Sequence, residues 1–361
     1  MMVGLLTLQM GCATTPKKGE PTKEKWTSEE ALAIRKVGIF PKSFWPEKGE
    51  KTTIRWTQNR KSDTTLEIRK ENGELVTKLE KWYSEGGCEA SWDGRDALGN
   101  LVSSGVYLYS LRSQERSGHE VLHDPSLTSG GEELKVDHFT FDRQKRTLDF
   151  ILPRAGRVRL RIGLSPFLHL RTLLNWDPME AGAHTLVWDG LDGSGLIRAI
   201  EHPDLSINLA AFALPDNAIL VQGSRKEDVS HSVGSSPKYL RSGLYLHASH
   251  DRAHCHDISF QVEFPTLEKD ERGLPILQGK TLVRVQLEDK DRNFMVNQRF
   301  EVGFFVDTVF LFEEEEGQDP FNYEWNTTGL ARGEHLLTVN VIGYEDHLGV
   351  KTVRVMKKDS Q

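Results

Sequence analysis

One short motif occurs twice in this chain and limits the folds that the sequence can adopt. Residues 92–99 read Trp-Asp-Gly-Arg-Asp-Ala-Leu-Gly, and residues 188–195 read Trp-Asp-Gly-Leu-Asp-Gly-Ser-Gly. Tryptophan, aspartate and glycine fall at the same offsets in both copies, about a hundred residues apart. A repeat at this spacing predicts that one structural unit occurs at least twice, and 361 residues are enough for two or three domains.

The residue types of this motif are those of a rigid turn. A tryptophan ring can be buried where a strand ends, an aspartate can accept hydrogen bonds from backbone N–H groups two residues on, and glycine adopts positive φ. The predicted turn residues are Trp92, Asp93, Gly94, Asp96 and Gly99 in the first copy and Trp188, Asp189, Gly190, Asp192 and Gly195 in the second. An alternative interpretation of the paired aspartates is a calcium site, although that cation needs six or more oxygen ligands.

The segments that precede each motif have the pattern of β-strands. Apolar and polar residues alternate around Leu66 and Ile68, and an Asn-Gly turn precedes the next apolar run. Apolar residues alternate with arginines over residues 157–162 before the second motif. Period-two alternation broken by tight turns predicts an all-β protein.

The first copy resembles a known family. Between residues 66 and 111, its N-G-x-L-V, W-D-G-x-D-x-x-G and S-G-V-Y-x-Y runs are similar to those of the FlgD-type immunoglobulin-like domain, first named from the flagellar hook-capping protein. The second copy resembles a diverged relative, because Ile207–Phe212 stands where the S-G-V-Y-x-Y strand would be. The resemblance implies tandem immunoglobulin-like β-sandwich domains, which secreted, cell-surface and appendage proteins carry, and it brings no catalytic residues.

The last hundred residues read as a third β module. Five strand-like runs lie between residues 282 and 355, separated by turn signals. Trp325 begins a run that resembles the W-D-T-x-x-L-x-x-G-x-H-x-L-T-V signature of bacterial Ig-like domains. Asn326 stands where aspartate is usual, which an Asx-turn tolerates.

The N-terminal segment resembles a bacterial lipoprotein signal. Apolar residues 1–11 end at a glycine followed by Cys12, the predicted lipidation site, although Gln9 and the absence of a preceding basic residue depart from the pattern. We therefore predict an exported protein, either an outer-membrane lipoprotein or extracellular, that meets the membrane only through a lipid anchor. An ordinary N-terminal strand is the alternative.

Cys88 and Cys255 fall in different predicted modules, so we expect no disulfide between them.

The predicted organisation divides the chain into six segments. These are a signal segment (1–12), a linker with a short helix at Ser28–Lys36 (13–45), a FlgD-like domain (46–126), a second, diverged FlgD-like domain (133–224), a histidine-rich connecting segment (225–262) and a C-terminal bacterial Ig-like domain (263–358).

The chain carries 46 Lys and Arg against 53 Asp and Glu, and no basic run. Because phosphate neutralisation needs a basic face, we predict no nucleic-acid binding.

Histidines are concentrated in one short segment that is a candidate metal site. Four of the 13 histidines and one of the three cysteines lie within ten residues. They are His247, His250, His254, Cys255 and His256. Imidazole and thiolate are the usual ligands of zinc and copper, which are the cofactors that this cluster predicts. The alternative is a strand on which His254 and His256 alternate and form hydrogen bonds within a domain junction.

Two further patterns are weaker candidates. Residues 119–123 read His-Glu-Val-Leu-His, which would hold zinc on a helix, but only five residues separate Gly118 from Asp124. We predict a strand there and a coincidental match, with His119 and Glu120 on opposite faces. The acidic residues 313–316 with Asp319 predict either a solvated hairpin tip or a calcium loop.

The recognisable motifs are structural, so we predict a non-enzymatic protein without catalytic residues. The predicted function is a cell-envelope or extracellular scaffold, adhesion or assembly factor with a protein partner of the envelope or an appendage. The alternative is a metal-binding protein or metal-dependent enzyme that uses the cluster at 247–256. A third hypothesis is glycan binding by Tyr107, Tyr109 or Trp176, taken as exposed aromatics.

Overall fold

The computed structural model describes residues 31–223, 257–297, 299–343 and 347–358. The fold is all-β, as predicted. The strands before residue 130 are β1 (Ile34–Phe40), β2 (Ser43–Phe44), β3 (Thr52–Gln58), β4 (Ser62–Lys70), β5 (Leu75–Tyr83), β6 (Gly86–Trp92), β7 (Gly105–Gln114) and β8 (Glu120–His123). Those between residues 130 and 223 are β9 (Asp137–Asp142), β10 (Thr147–Leu152), β11 (Gly156–Leu164), β12 (Leu168–Met179), β13 (Gly182–Val187), β14 (Leu205–Ala213) and β15 (Ala218–Val221).

The remaining elements follow residue 257. They are β16 (Phe260–Glu263), β17 (Ile276–Leu277), β18 (Lys280–Leu287), the short helix α1 (Asp289–Met295), β19 (Phe300–Val306), β20 (Val309–Glu314), β21 (Phe321–Asn326), β22 (Gly333–Gly343) and β23 (Leu348–Lys357). Within the described ranges, no helix is both long enough and apolar enough to cross a membrane.

The first module is a sandwich of two sheets. One sheet has the strand order β1-β3-β6, and the other has the order β2-β15-β7-β4-β5 with β8 at the side of β7. Burial alternates along β3 and β4, as the sequence pattern predicts. The side chains that fill the space between the sheets include Phe44, Ile54, Trp56, Leu66, Ile68, Trp92 and Leu111.

The second module repeats this arrangement. Its sheets have the orders β9-β10-β13 and β12-β11-β14, which match β1-β3-β6 and β5-β4-β7 strand for strand. Trp188 follows β13 just as Trp92 ends β6, and both rings are buried. The duplicated motif therefore marks a duplicated fold.

The third module has the same two-sheet plan, and its second sheet has five strands, against three in the second module. Its sheets are β16-β18-β21 and β17-β23-β22-β19-β20. The five predicted strand runs correspond to β18, β19, β20, β22 and β23. Phe304 and Val339 are fully buried in its core, and Trp325 lies at the end of β21.

Strand pairing corrects the predicted domain boundaries. The sequence placed residues 218–221 in the second domain, but β15 pairs antiparallel with β7 of the first module and parallel with β2. Ile219 and Val221 are buried in the first core. The second module is therefore inserted into the first, between β8 and β15. The run Ala-Ile-Leu-Val predicts a buried strand but carries no information about which sheet receives it.

The predicted helix at Ser28–Lys36 is wrong where the structure describes it. Residues 34–36 belong to β1, which pairs with β3, and the linker predicted up to residue 45 also contains β2. Ile34, Val37 and Ile39 pack against the first core. Pairing and burial therefore outweigh the local helix signals of this segment.

Candidate interaction surface

The two tryptophan turns have the same geometry. The Trp92 indole Nε1–H donates a hydrogen bond to the backbone oxygen of Arg95 at 2.8 Å. The Trp188 indole donates to the oxygen of Leu191 at 2.9 Å, at the same offset of three residues. Each buried ring is thus satisfied by the turn that follows it, which makes the motif a self-contained structural unit.

The second aspartate of each motif accepts hydrogen bonds from its own turn. Asp96 Oδ1 accepts from the N–H groups of Leu98 and Asn100 at 2.9 and 2.8 Å. These bonds, led by that of Asn100, hold the pKa of the Asp96 carboxyl below its usual value. The buried Asp192 accepts from the N–H groups of Leu196 and Ile197 at 2.7 and 2.9 Å.

The first aspartates, Asp93 and Asp189, lie beside arginines. Asp93 is 3.4 Å from Arg95, and Asp189 is 2.7 Å from Arg171. The described residues contain no group of three or more His, Cys, Asp or Glu side chains placed to hold a metal ion. The four aspartates of the two motifs are therefore found in structural contacts, Asp189 with an arginine of β12 and the others within their own turns.

The turn of the third module forms by the predicted Asx geometry. Asn326 Oδ1 accepts a hydrogen bond from the Thr328 N–H at 3.1 Å. His335 then lies between Asp307, 2.5 Å from its Nδ1, and the backbone oxygen of Ala331, 2.8 Å from its Nε2. Burial lowers the pKa of His335, but the Asp307 and Ala331 hydrogen bonds outweigh this effect and raise it.

The His-Glu-Val-Leu-His segment is a strand, as predicted. Its last four residues form β8, which pairs with β7. Glu120 forms an ion pair with Arg112 across this pair, and the His123 ring stacks on Tyr109 with centroids 6.5 Å apart. Burial lowers the pKa of His123. The two histidines do not share the helical face that zinc binding at this spacing requires.

The acidic segment divides into two parts. Glu313 and Glu314 end β20, whereas Asp319 is almost fully buried and pairs with Arg292 of α1 at 2.6 Å. Asp319 Oδ1 also accepts a hydrogen bond from the Leu287 N–H at 2.7 Å. The Asp319 carboxylate therefore connects the loop to α1 and to the end of β18.

The three aromatics proposed for glycan binding are not exposed. Tyr107 and Tyr109 are each 3% exposed, and Trp176 is 1% exposed. Tyr107 and Tyr109 belong to the core between the two sheets of the first module, where Tyr107 packs on Trp92 with ring centroids 5.3 Å apart. Trp176 lies between Arg159 and Phe212. The prediction that these rings form a glycan-binding surface is therefore wrong.

The other predicted site residues lie outside the described ranges. They are Cys12 and the cluster of His247, His250, His254, Cys255 and His256. Cys88 is described and is a buried free thiol, whose pKa is raised by burial.

A buried ion pair joins the first module to the second. Glu71, at the turn between β4 and β5, contacts Arg157 of β11, and both side chains are largely shielded from solvent. Arg157 Nη1 also donates a hydrogen bond to the backbone oxygen of Trp176 at 2.9 Å. Because an unpaired charge is costly in such a place, this contact favours one relative position of the two modules.

Apolar packing and an amide complete the same junction. Asn217 Nδ2 donates hydrogen bonds to the backbone oxygen of Tyr109 at 2.6 Å and to Asp124 at 3.0 Å. The adjoining apolar cluster consists of Val106, Ala155, Leu214, Ala218 and Leu220. The first and second modules thus share a small core as well as two chain connections.

The second and third modules are also in contact. Asn340 of β22 donates through Nδ2 to the backbone oxygen of His169 at 2.9 Å, and its Oδ1 accepts from the His169 N–H at 2.9 Å. Phe305 of β19 packs into the buried cluster of the second module. None of Glu71, Arg157, His169 and Asn340 is part of a sequence motif. The available signal was the alternation of arginines with apolar residues along β11, which does not say which arginine meets another module.

Several apolar side chains are exposed on edge strands and at loop tips of the modules. Leu75, Leu79 and Trp82 lie on β5, the outermost strand of the first module, and are each partly open to solvent. Leu98 and Phe167, at turns, are 88% and 72% exposed. Exposed apolar groups on rigid loops and sheet edges are typical of protein-binding surfaces.

Comparison with known proteins identifies the first module. Residues 43–117 match the family model of the FlgD Ig-like domain, which confirms the sequence resemblance. No curated protein matches the chain.

Several solved structures are similar to parts of this chain. FlgD from P. aeruginosa has 16% identity and a TM-score of 0.20, over 29% of this chain and 73% of that chain. The fibronectin(III)-like modules of Clostridium thermocellum CbhA have 10% identity and a TM-score of 0.19, over 89% and 94%. A tetra-tandem repeat from the extending region of a large adhesion protein has 14% identity and a TM-score of 0.21, over 91% and 74%.

Proposed function

We propose that this protein is a non-enzymatic scaffold of the cell envelope or extracellular space that holds protein partners on a fixed frame of three Ig-like modules. The observation that carries this proposal is the pair of junctions. The second module is tied to the first by two chain connections and the Glu71–Arg157 ion pair, and to the third through Asn340 and Phe305. A frame of this kind sets the distances and directions between the surfaces that it presents.

The strand β5 is a candidate binding surface, because it carries exposed apolar side chains at a sheet edge. It lies at the end of its sheet, and beyond Val76, whose oxygen accepts a hydrogen bond from the Ala97 N–H at 3.0 Å, no described strand pairs with its outer side. Leu79 and Trp82 are partly exposed there, and the Arg116 guanidinium lies 5.1 Å from the Trp82 ring. Backbone pairing would supply affinity, and these side chains would supply selectivity.

Site-specific photo-cross-linking in the cell of origin tests the proposal. A photoreactive residue at position 79 or 82 is expected to cross-link to one defined envelope protein, whereas one at the exposed Lys51 of the same module is not. With the purified partner, Leu79→Lys and Trp82→Ala should each weaken binding by about tenfold or more without changing thermal unfolding. The absence of cross-links at β5, Leu98 and Phe167 would overturn the proposal, as would a hydrolytic activity abolished by one substitution.

Two sequence-based proposals concern residues outside the described ranges. Lipidation of Cys12 would anchor the scaffold to a membrane, and incorporation of labelled palmitate that Cys12→Ser abolishes is the measurement that checks it. Zinc or copper binding by the 247–256 cluster is the second candidate function. It predicts stoichiometric metal in protein purified without a histidine tag, and loss of that metal in His250→Ala and His254→Ala.

A further inference from the structure

The second module differs from its two neighbours at one sheet edge. In the first module, the outer edge of β7 is covered by β15 and β8, and in the third module the outer edge of β22 is covered by β23. The strand that corresponds to β7 and β22 in the second module is β14. Among the described residues, no strand pairs with the outer edge of β14 over residues 205–210.

The inserted topology explains this open edge. The chain passes from β14 directly to β15, which completes the first module instead of the second. Among the residues that the structure describes, residues 132–134 cover the C-terminal end of β14, because the Leu134 N–H donates to the Ala211 oxygen and the Ala213 N–H donates to the Glu132 oxygen. Since alternate residues of a strand bond to the same side, the N–H and C=O groups of Ile207 and Leu209 also point outward. The Leu205 N–H donates to the His202 oxygen at 3.3 Å.

The strand β14 lacks the features that normally protect an exposed edge. Edge strands are commonly interrupted by charged residues, proline or bulges. Charged residues lie on β5 and β20, and both Asp177 and Pro178 lie on β12. The sequence of β14, Leu-Ser-Ile-Asn-Leu-Ala-Ala-Phe-Ala, has neither charge nor proline, and its pairing with β11 shows no register shift. It is the longest such edge strand in the part of the chain that the structure describes.

The open part of β14 is complementary to itself. In a two-fold antiparallel pair centred on Ile207, this residue exchanges both backbone hydrogen bonds with Ile207 of a second copy. Leu205 then lies opposite Leu209, and both belong to the core-facing side of the strand. Ser206 lies opposite Asn208, and both are exposed and uncharged. Apolar residues therefore meet apolar residues, and no charges repel each other across the pair.

We propose that two copies of this chain associate through β14, joining two three-stranded sheets into one six-stranded sheet across a two-fold axis. This interaction goes beyond the scaffold function, because it would present every surface of the frame twice and raise the avidity for a multivalent partner.

Two double variants of the full chain test both the partner and the register. Ser206→Glu with Asn208→Glu places like charges opposite each other in the proposed pair, whereas Ser206→Lys with Asn208→Glu places opposite charges there. Both variants retain an oxygen at position 208, where Arg159 Nη2 donates a hydrogen bond at 3.1 Å. Because both positions are exposed, we expect both variants to fold.

Sedimentation equilibrium over micromolar concentrations measures the association. The unchanged chain is expected to form a dimer, the Glu/Glu variant to weaken it by more than about tenfold, and the Lys/Glu variant to retain it. Amide exchange at Ile207 and Leu209 should be slow in the dimer and fast in the Glu/Glu variant.

Three outcomes would overturn the proposal. The first is a monomer at every concentration, and the second is a Glu/Glu variant that dimerises as well as the Lys/Glu variant. The third is slow exchange at Ile207 and Leu209 in a monomer, which would mean that another segment of the same chain covers the edge. Cross-linking from β5 reads out partner binding separately, so failure of dimerisation is distinguishable from failure of the scaffold function.

Discussion

Two glycines of the first turn have positive φ but different surroundings. Gly94 has a φ of +78°, and a Cβ added there would lie 2.4 Å from Pro46 Cγ. Gly99 has a φ of +86°, and an added Cβ would meet no atom within 4 Å. The turn thus requires glycine for backbone conformation at both positions, and also for close packing at Gly94. In the second turn, Gly190 is also required for close packing, because an added Cβ would lie 2.7 Å from Ile200.

The contrast between these glycines predicts two different stability losses. Gly94→Ala combines left-handed strain with overpacking and should lower the free energy of unfolding by about 2–4 kcal/mol. Gly99→Ala carries the strain alone and should cost about 1–2 kcal/mol. Urea unfolding of the two variants, followed by tryptophan fluorescence, measures the difference. Equal losses would contradict the role assigned to the Pro46 contact.

At the scale of elements, the turn between β4 and β5 carries two ion pairs that differ in their exposure to solvent. Its turn carries Glu71, which contacts Arg157 of another module, and Glu74, which forms an exposed pair with Lys70 at 3.2 Å. The two glutamates lie three residues apart on one turn, but only the first is shielded from water. One hairpin therefore contains both a junction contact and an ordinary surface ion pair.

Removing each glutamate should reveal this difference. Glu71→Ala leaves the buried Arg157 guanidinium without its carboxylate and is expected to cost about 3–5 kcal/mol of unfolding free energy. Glu74→Ala, the matched control, should cost less than about 1 kcal/mol because water screens its pair with Lys70. Thermal and urea unfolding of the full chain check both values. A small, equal loss in the two variants would mean that the ion pair does not hold the junction.

At the scale of the whole molecule, two histidines near the junction of the second and third modules have opposite protonation preferences. Burial, with added repulsion from Arg161 and Arg159, lowers the pKa of His169 to about 4. In contrast, the contacts with Asp307 and Ala331 raise the pKa of His335. The folded state therefore favours the neutral form of His169 and the charged form of His335.

These preferences predict the pH dependence of stability. The contribution of neutral His169 is complete above about pH 6.5 and is lost as the pH falls towards 4, by about 3 kcal/mol in total. His169→Gln should flatten the unfolding free energy over this acid range. The contribution of His335 has the opposite sign, since it is complete below about pH 6.5 and is lost as the pH rises through its raised pKa. His335→Gln should flatten the curve on that side and leave the acid side unchanged.

Features determined by neighbours in the chain were predictable. The turns at Trp92 and Trp188 form because each indole donates to a backbone oxygen three residues on, and the turn after Trp325 forms because the Asn326 side chain accepts from the Thr328 N–H. The strand β8 within residues 119–123 was predictable because its flanking turns leave no room for a long helix. The duplicated sandwich was also predictable, because the repeated turn motif is a pattern of residues close together in the chain.

Features that depend on distant strands were not predictable. Period-two alternation indicates that Tyr107 and Tyr109 share one face, but not that this face lies in the core between the two sheets. Local composition favoured a helix at residues 28–36, yet the backbone of residues 34–36 is part of β1 beside β3. Burial of these groups is decided by contacts with strands that are distant in the sequence. The type of a residue does not specify which distant strand it will meet.

The sequence by itself determined the fold class, the repeat and the turns, because these depend on side-chain type and on hydrogen bonds within a few residues. Only the tertiary structure decided that β15 completes the first module, that Glu71 meets Arg157, and that no strand of the described ranges pairs with the outer edge of β14 over residues 205–210. An apolar strand can pair with any edge that offers free backbone groups, since backbone hydrogen bonds are the same for every residue type. Its partner is therefore chosen by the packing of the whole chain.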